Sequence, residues 1–376
     1  MLSYELLRVI WWGLMGFLLA GFAVMDGFDL GVAGLLPFVA KNDMERRIAL
    51  NTVGPVWEGN QVWFILGGGV LFAAWPSLYA VSFSGFYVAM FLVLLTFIMR
   101  PVGFKYRSKI GNAYWRNTWD WVLSISGLLA ALVFGVAVGN VLQGVPFHFD
   151  LSLRPYYTGS LWQLFNPFAV LCGALSIAML SMQGACYLVV KTTDELARRA
   201  GLAARVMAAV MMMLFGLAGC LLKSMPAYVL ASVPDVAGPS NPLHQSVDKI
   251  AGAWLSHYSV YPAAVMVPIS VFVMAGLVIL FVKSFPRVAF VASSISVFMT
   301  VITVGVSMFP VILPSSSHPS QSLTVWNASA SQWSLQLMLI CTAIFFPIII
   351  AYTTWVYRVL RGKVTATVVQ KNLDAY

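Results

Sequence analysis

Charge is what this chain has least of. Only 9% of its 376 residues are Asp, Glu, Lys or Arg, against about 25% in soluble domains. With 60% hydrophobic residues and a mean hydropathy of +0.85, that shortage excludes a soluble globular domain and identifies an integral membrane protein. The long runs, such as Phe86 to Met99, are continuously apolar and do not alternate, so the spans read as helices and not as barrel strands. The net charge of +9 sits in short loops. No basic domain stands apart from the spans, which argues against a nucleic-acid partner.

Chemistry-bearing motifs are also missing. The four cysteines, Cys172, Cys186, Cys220 and Cys341, lie in apolar runs without a Cys-x-x-Cys pair and read as small packing hydrophobes. The four histidines, His148, His244, His257 and His318, fall outside the interior of every span. Helices therefore offer no axial pair for a membrane haem, and no metal-ligand cluster is visible. Gly-x-x-x-x-Gly-Lys-Ser/Thr, Gly-x-Gly-x-x-Gly and Gly-x-Ser-x-Gly are absent, which removes support for nucleotide binding and for a serine hydrolase. Met1 to Arg8 lacks a basic n-region and no Ala-x-Ala site follows, so the first span is expected to be retained.

What is present divides into nine apolar stretches, near 8–38, 51–75, 78–99, 120–143, 161–190, 205–224, 260–282, 288–312 and 331–357, each long enough to cross hydrocarbon. Cations alternate between their loops. Lys41, Arg46 and Arg47 follow the first span, five cations from Arg100 to Arg116 the third, Lys191 to Arg205 the fifth, Lys283 and Arg287 the seventh, and Arg358, Arg361 and Lys363 the ninth. The intervening loops hold only Arg154 and Lys249. This alternation predicts an all-α polytopic protein with its N-terminus periplasmic and its C-terminus cytoplasmic. Two four-helix bundles plus one peripheral helix would suit the count. The loop at 225–259, with Pro226, Pro234, Pro239 and Pro242, is the largest outside segment and is expected to carry short helical pieces.

Inside this apolar frame sit Asp26 and Asp29, spaced i, i+3 in the first span, and Glu58 in the second. A carboxylate near the bilayer centre costs roughly 2.5–3.5 kcal/mol on insertion scales. By helical rise, Asp29 and Glu58 arrive at similar depth from antiparallel neighbours. One reading is a polar file admitting protons from the cytoplasm, because a buried carboxyl can take and release a proton. The other is that these acids pair with Arg or Lys from another helix, or cap an interrupted helix end, and only fix packing. Trp57 and Trp63 flank the site and either line a path for an apolar small molecule or act as packing anchors. Arg100-Pro101 is expected to end the third span. Its basic continuation, from Lys105 to Lys109, reads as a solvated cytoplasmic anchor; the other reading is that it contacts a quinone head, for which Arg100 is the candidate, or feeds protons.

Taken together, Asp26-Gly27-Phe28-Asp29-Leu30-Gly31, Trp57-Glu58-Gly59-Asn60-Gln61-Val62-Trp63, Phe83-Ser84-Gly85-Phe86-Tyr87, Arg100-Pro101-Val102-Gly103-Phe104 and Gly139-Asn140-Val141-Leu142-Gln143-Gly144 resemble subunit II of the cytochrome bd-type quinol oxidases. Asn166-Pro167-Phe168, Ala251-Gly252-Ala253-Trp254 and Met308-Phe309-Pro310 extend the likeness over nearly the whole chain. The resemblance implies an inner-membrane enzyme that oxidises quinol and reduces dioxygen to water. It also implies a partner, subunit I, that carries the quinol site, two b-type haems and haem d. Subunit II would ligate no haem, would support the complex, and can hold a structural ubiquinone in a lipid-facing groove. By motif match Glu58, Asp29 and Asp26 would serve a cytoplasmic proton path and Trp63 would border an oxygen path. Lipids, the quinol pool and a small single-span subunit complete the expected surroundings. The competing class is a proton- or cation-coupled secondary transporter, which buried acids and nine spans would also fit. No pair of related halves with broken helices is visible to support it.

Overall fold

The computed structural model describes residues 2–232 and 235–371. Its long helices begin where the sequence supplies a cap. Ser3 accepts the Leu6 amide to start α1 (Tyr4–Val39), and Asn42 accepts the Glu45 amide to start the short α2 (Asp43–Val53). Such side-chain acceptors satisfy N–H groups that the first turn of a helix leaves open. After α2 the chain turns through Gly54 and Pro55 before α3 (Trp57–Ala74). Proline has no N–H and disfavours helix at the residue before it, so the stretch 51–75 divides. The stretch 78–99 divides too, into α4 (Pro76–Gly85) and α5 (Tyr87–Tyr106). Pro101 does not end α5. It lies inside it, and the helix runs on to Tyr106.

The remainder alternates long helices with small hairpins. α6 (Ala113–Gln143) stops at Gly144, whose positive φ of 83° suits a residue without a Cβ. There follow β1 (Phe147–Phe149) and β2 (Pro155–Tyr157), then α7 (Pro167–Lys191) and α8 (Asp194–Leu222). Next come β3 (Pro226–Leu230), β4 (Val247–Ala251), α9 (Ser256–Val260), α10 (Met266–Phe281) and α11 (Pro286–Met308). The chain closes with β5 (Val311–Leu313), β6 (Leu323–Thr324), α12 (Gln332–Val359) and α13 (Ala366–Lys371). The interval 225–259 thus holds an antiparallel hairpin as well as helical turns. Pro234 lies outside the described residues.

Among the described residues, eight helices are long and apolar enough to cross a membrane: α1, α5, α6, α7, α8, α10 with its preceding 3₁₀ turn, α11 and α12. α3 is 18 residues long and carries Glu58, Asn60 and Gln61 in its first turns. Contacts gather α1, α3, α5 and α6 on one side and α7, α8, α10 and α11 on the other, joined where α7 meets α1 and α6. α7 is the most buried of the spans and α12 the least, touching only α1 and α3 appreciably.

The seam between the two groups is a glycine crossing. A Cβ on Gly31 would fall on the carbonyl oxygen of Leu180, and one on Gly184 would fall on the backbone of Gly31 and Val32. Small residues let helix backbones approach this closely where lipid supplies no hydrophobic drive between helices. Polar pairs add to it inside the second group, where Gln183 bridges Ser293 and Ser294 of α11. Of the cysteines, Cys172 and Cys186 are buried, whereas Cys220 and Cys341 face outward.

Gly184→Val is expected to separate α1 from α7 at a cost of about 1–3 kcal/mol or more. Gly68→Ala, whose Cβ meets nothing within 4 Å, should be tolerated. Thermal denaturation of the two purified variants in detergent would separate them, and equal stability would refute the tight seam.

Candidate functional site

The acidic pair on α1 is split between two neighbours. Asp26 accepts two hydrogen bonds from the Arg100 guanidinium of α5, at 2.9 and 3.2 Å. Neither side chain has any exposed surface, and the Arg100 guanidinium lies 4.4 Å from the Phe97 ring centre. The fork geometry matches a carboxylate bidentately. For Asp26 the pairing alternative therefore describes the contact. Arg100 sits in the core, and its fork is occupied by Asp26.

Asp29, three residues on and 1% exposed, meets α3 instead. Its Oδ2 accepts from Asn60 Nδ2 at 2.8 Å, and Asn60 Oδ1 accepts from the Tyr357 hydroxyl of α12 at 2.7 Å. Asp29 Oδ1 has no hydrogen-bond partner among the described residues. Phe28 stacks on Tyr187 at 4.2 Å between ring centres, and Tyr187 donates to the Thr52 carbonyl. One carboxylate of the pair is matched by charge; the other is held by a single amide.

Glu58 does not join them. It is exposed on the chain surface, because Asn60 faces Asp29 and two residues of helix rotate a side chain by about 200°. The similar depth inferred from the helical rise does not bring the three acids to one face. Asn60 and Tyr357 were not singled out in the sequence as partners of Asp29. Their signal is weak, since an amide beside Glu58 and a tyrosine near a helix end are common.

Trp63 is 8% exposed. Its indole occupies the notch left by Gly21, where a Cβ would overlap the ring, and meets Phe346 edge-on at 5.9 Å. Two openings flank it where α12 rides loosely on α1 and α3. One, of about 200 Å³, is apolar and lined by Trp11, Leu14, Phe17, Phe345 and Phe346 among others. The other, of about 450 Å³, runs past Met25, Trp63, Thr353 and Tyr357 to Arg358 and Arg361.

Below this core lies a charged girdle. Asp120 accepts from Arg107 at 2.5 and 3.0 Å and from Arg46 at 2.8 Å, while Asp43 accepts from Arg107 at 2.9 Å and from Arg116 at 3.1 Å. Arg107 is only 1% exposed, which corrects the expectation of a solvated anchor at that residue, where two acids from other elements draw it in, while Lys105 and Lys109 are exposed. Glu45 pairs with Arg199 of α8, and Arg199 also donates to the Val39 carbonyl. Burial opposes the charge on Glu45, but the Lys41 amide at 2.7 Å and the Arg199 guanidinium outweigh it and hold the carboxyl below its usual range. Lys191 caps the end of α12 through the Leu360 carbonyl, and the Val364 amide returns to the Lys191 carbonyl. The four histidines lie on β1, on α9 and in loops, outside the long helices.

Comparison with known proteins agrees over the full length. The family model for "Cytochrome bd terminal oxidase subunit II" matches residues 7–360. The chain is 47% identical to "Cytochrome bd-I ubiquinol oxidase subunit 2" of Escherichia coli K12 over 374 residues, covering 99% of each. It is 47% identical to "Probable cytochrome oxidase subunit 2" of Haemophilus influenzae Rd over 377 residues, again 99% of each. Its likeness to "Cytochrome bd ubiquinol oxidase subunit 2" of Bacillus subtilis 168 is 29%, over 96% of this chain and 97% of that one. In fold it resembles a chain of the bd oxidase from Geobacillus thermodenitrificans, with a TM-score of 0.68 at 14% identity over 94% of this chain and 98% of that one.

Arg100→Leu is expected to destabilise the protein by about 3–5 kcal/mol by stranding the Asp26 charge, and Asp26→Leu with Arg100→Leu should recover much of the loss. Denaturation of the two variants would test it, and a double variant no better than the single would refute the pairing. Because the Glu45 pKa is depressed on folding, its contribution to stability is present above the unfolded pKa and fades as pH falls through the folded one. Glu45→Gln should therefore flatten the acid side of the stability profile measured by thermal shift.

Proposed function

The chain belongs to the cytochrome bd terminal oxidase subunit II family, and from that premise we propose that it carries protons inward toward a haem-bearing subunit I through Asp29 and Glu58. It is a subunit of a quinol:oxygen oxidoreductase and a multi-pass protein of the bacterial inner membrane. The family implies haems in the partner subunit. The histidines of this chain lie on loops, hairpins and one short helix, and oxygen reduction belongs to that partner.

The observation that carries the proton role is Asp29, buried in the core with one oxygen engaged by Asn60 and the other free to take a proton. Asp26 acts beside it as the counter-charge of Arg100, so that pair contributes no net charge and Asp29 alone sets the charge of the region. The 450 Å³ groove leads from the arginine-rich end of α12 to Tyr357, which touches Asn60. This is the entry route we favour. Trp63 borders the apolar side of that route, which suits dioxygen, and the same loosely packed face of α12 suits a structural ubiquinone.

Glu58 supports the rest of the reading by being exposed. A carboxylate on the outer surface of an apolar helix is expensive in lipid, and docking of subunit I over α3 and α5 removes that cost. The same face presents Ile65, Phe72, Phe91 and Leu94. Glu58 then lies at the junction of the two subunits and can hand protons across it. In this arrangement α3 is a ninth span, the N-terminus is periplasmic, and the end bearing Arg46, Arg107, Arg199 and Arg358 is cytoplasmic.

Glu58→Gln and Asp29→Asn in the assembled oxidase are expected to slow oxygen consumption about 10²-fold or more, in line with general acid–base contributions, while the partner's haem spectrum stays unchanged. Oxygen-electrode rates across pH, with reduced-minus-oxidised spectra as the assembly control, would decide it. Turnover unaltered at every pH would sink the relay.

A further inference from the structure

At the end of the molecule opposite the charged girdle, the hairpins bring together two imidazoles that the oxidase reading does not use. His148 stands in the middle of β1, and His318 lies in the loop between β5 and β6. Their ring centres are 5.0 Å apart. The geometry points to a divalent transition-metal site in which the imidazoles of His148 and His318 bind one ion such as Zn²⁺ or Cu²⁺, with solvent filling the remaining positions.

The separation is the first argument. With a metal–nitrogen bond of roughly 2.0–2.1 Å and a ring nitrogen about 1.1 Å from the ring centre, two imidazoles on one ion at 90–110° have centres about 4.5–5.2 Å apart. The observed spacing falls inside that window, so the two rings stand as far apart as a shared ion would hold them.

The second argument is the hydrogen bonding behind His318. Ser317 Oγ spends its single proton on the Phe147 carbonyl at 2.9 Å. The 3.2 Å contact between Ser317 Oγ and His318 Nδ1 must therefore run from Nδ1–H to the oxygen. That fixes the tautomer and leaves the lone pair on Nε2, the far side of the ring. A ring N–H engaged by an oxygen acceptor is the usual support behind a metal-bound histidine.

Rigidity is the third argument. The loop carrying His318 is laced to β1 by the Ser315 hydroxyl on the Phe147 carbonyl at 2.5 Å, and is braced internally by the His318 amide on Ser315 Oγ at 3.0 Å. Gln321 holds the Phe149 amide at 2.7 Å, and the Ser316 amide holds the Val145 carbonyl at 3.0 Å. Tyr156, paired with His148 across the hairpin, stacks on its ring at 5.4 Å and 15°. Ligands held this way lose little freedom on binding. Lys249, whose ammonium donates to the Ser316 carbonyl at 2.8 Å, is a cation beside the cluster and limits affinity. Two neutral ligands next to a lysine make an exchangeable site, of Cu²⁺ above Zn²⁺ in strength.

The test uses the assembled oxidase, stripped with chelator and titrated with CuCl₂ under electron paramagnetic resonance and with ZnCl₂ by calorimetry. One ion per subunit II is expected, with hyperfine structure from two nitrogens. His148→Ala and His318→Ala should each leave at most one nitrogen and weaken binding at least 10-fold, and the double variant should abolish it. Ser317→Ala, which touches no metal, should weaken binding about 10-fold by releasing the tautomer. Binding that persists unchanged in the double variant, or a Cu²⁺ signal with the same nitrogens in it, would overturn the site. Haem spectra and quinol oxidation, which do not depend on these residues, confirm that each variant is assembled.

Discussion

In hydrocarbon, a carboxylate has to be answered by something, and Asp26 is answered by Arg100. That buried pair ties the first long helix to the fifth across three intervening elements and fixes the rotation of α1 about its axis. Once α1 is set, Asp29 is turned toward α3 and Gly31 toward α7. The amide of Asn60, the glycine crossing and the position of Trp63 in the Gly21 notch all follow from that one orientation. An ion pair of this kind adds little net stability against apolar residues of equal volume. Its use here is to specify one arrangement and to leave Asp29 as the acid that remains without a charged partner bonded to it.

The two ends of the molecule solve different problems. At the arginine-rich end, acids meet cations from distant parts of the chain: Asp43 and Glu45 on the short α2, and Asp120 on the long α6. These bonds hold the helix ends in register, and α13 with the Lys191 cap folds the C-terminal segment back over them. At the other end, backbone hydrogen bonds that no helix can use are closed by three hairpins. Arg8 there reaches the carbonyls of Val236 and Gly238 and packs on Tyr4, fastening the start of α1 to the largest loop. The result is a membrane frame in which α12 is the least buried of the long apolar helices.

Two openings run along α12, and its Tyr357 reaches Asn60, the amide that holds Asp29. A helix that is mostly exposed on the isolated chain is free to cover a quinone, a lipid or a partner.

How much of this was legible in advance depends on the kind of residue. Composition and run length identify the polytopic helical class, because a bilayer demands about twenty apolar residues per crossing. The motifs from Asp26 to Gly31 and from Trp57 to Trp63 place the chain in its family without coordinates. The acids Asp26, Asp29 and Glu58 stand out for the same reason, as charges where charge is costly. Their partners do not, since Arg100, Asn60 and Tyr357 lie 74, 31 and 328 residues from the acids they serve (100 − 26, 60 − 29 and 357 − 29). Periodicity gives the face of a helix but not which neighbour it meets, so Glu58 looked like a third member of the cluster and turns outward instead. Local rules expect a helix end at Pro101 and a solvated side chain at Arg107; instead α5 runs on to Tyr106, and Asp120 and Asp43 draw Arg107 in. The sequence by itself determined the class, the family and the list of costly charges, because those follow from transfer free energies of single residues. Only the tertiary structure decided which acid meets a guanidinium and which meets an amide, because that depends on the rotation of packed helices relative to one another.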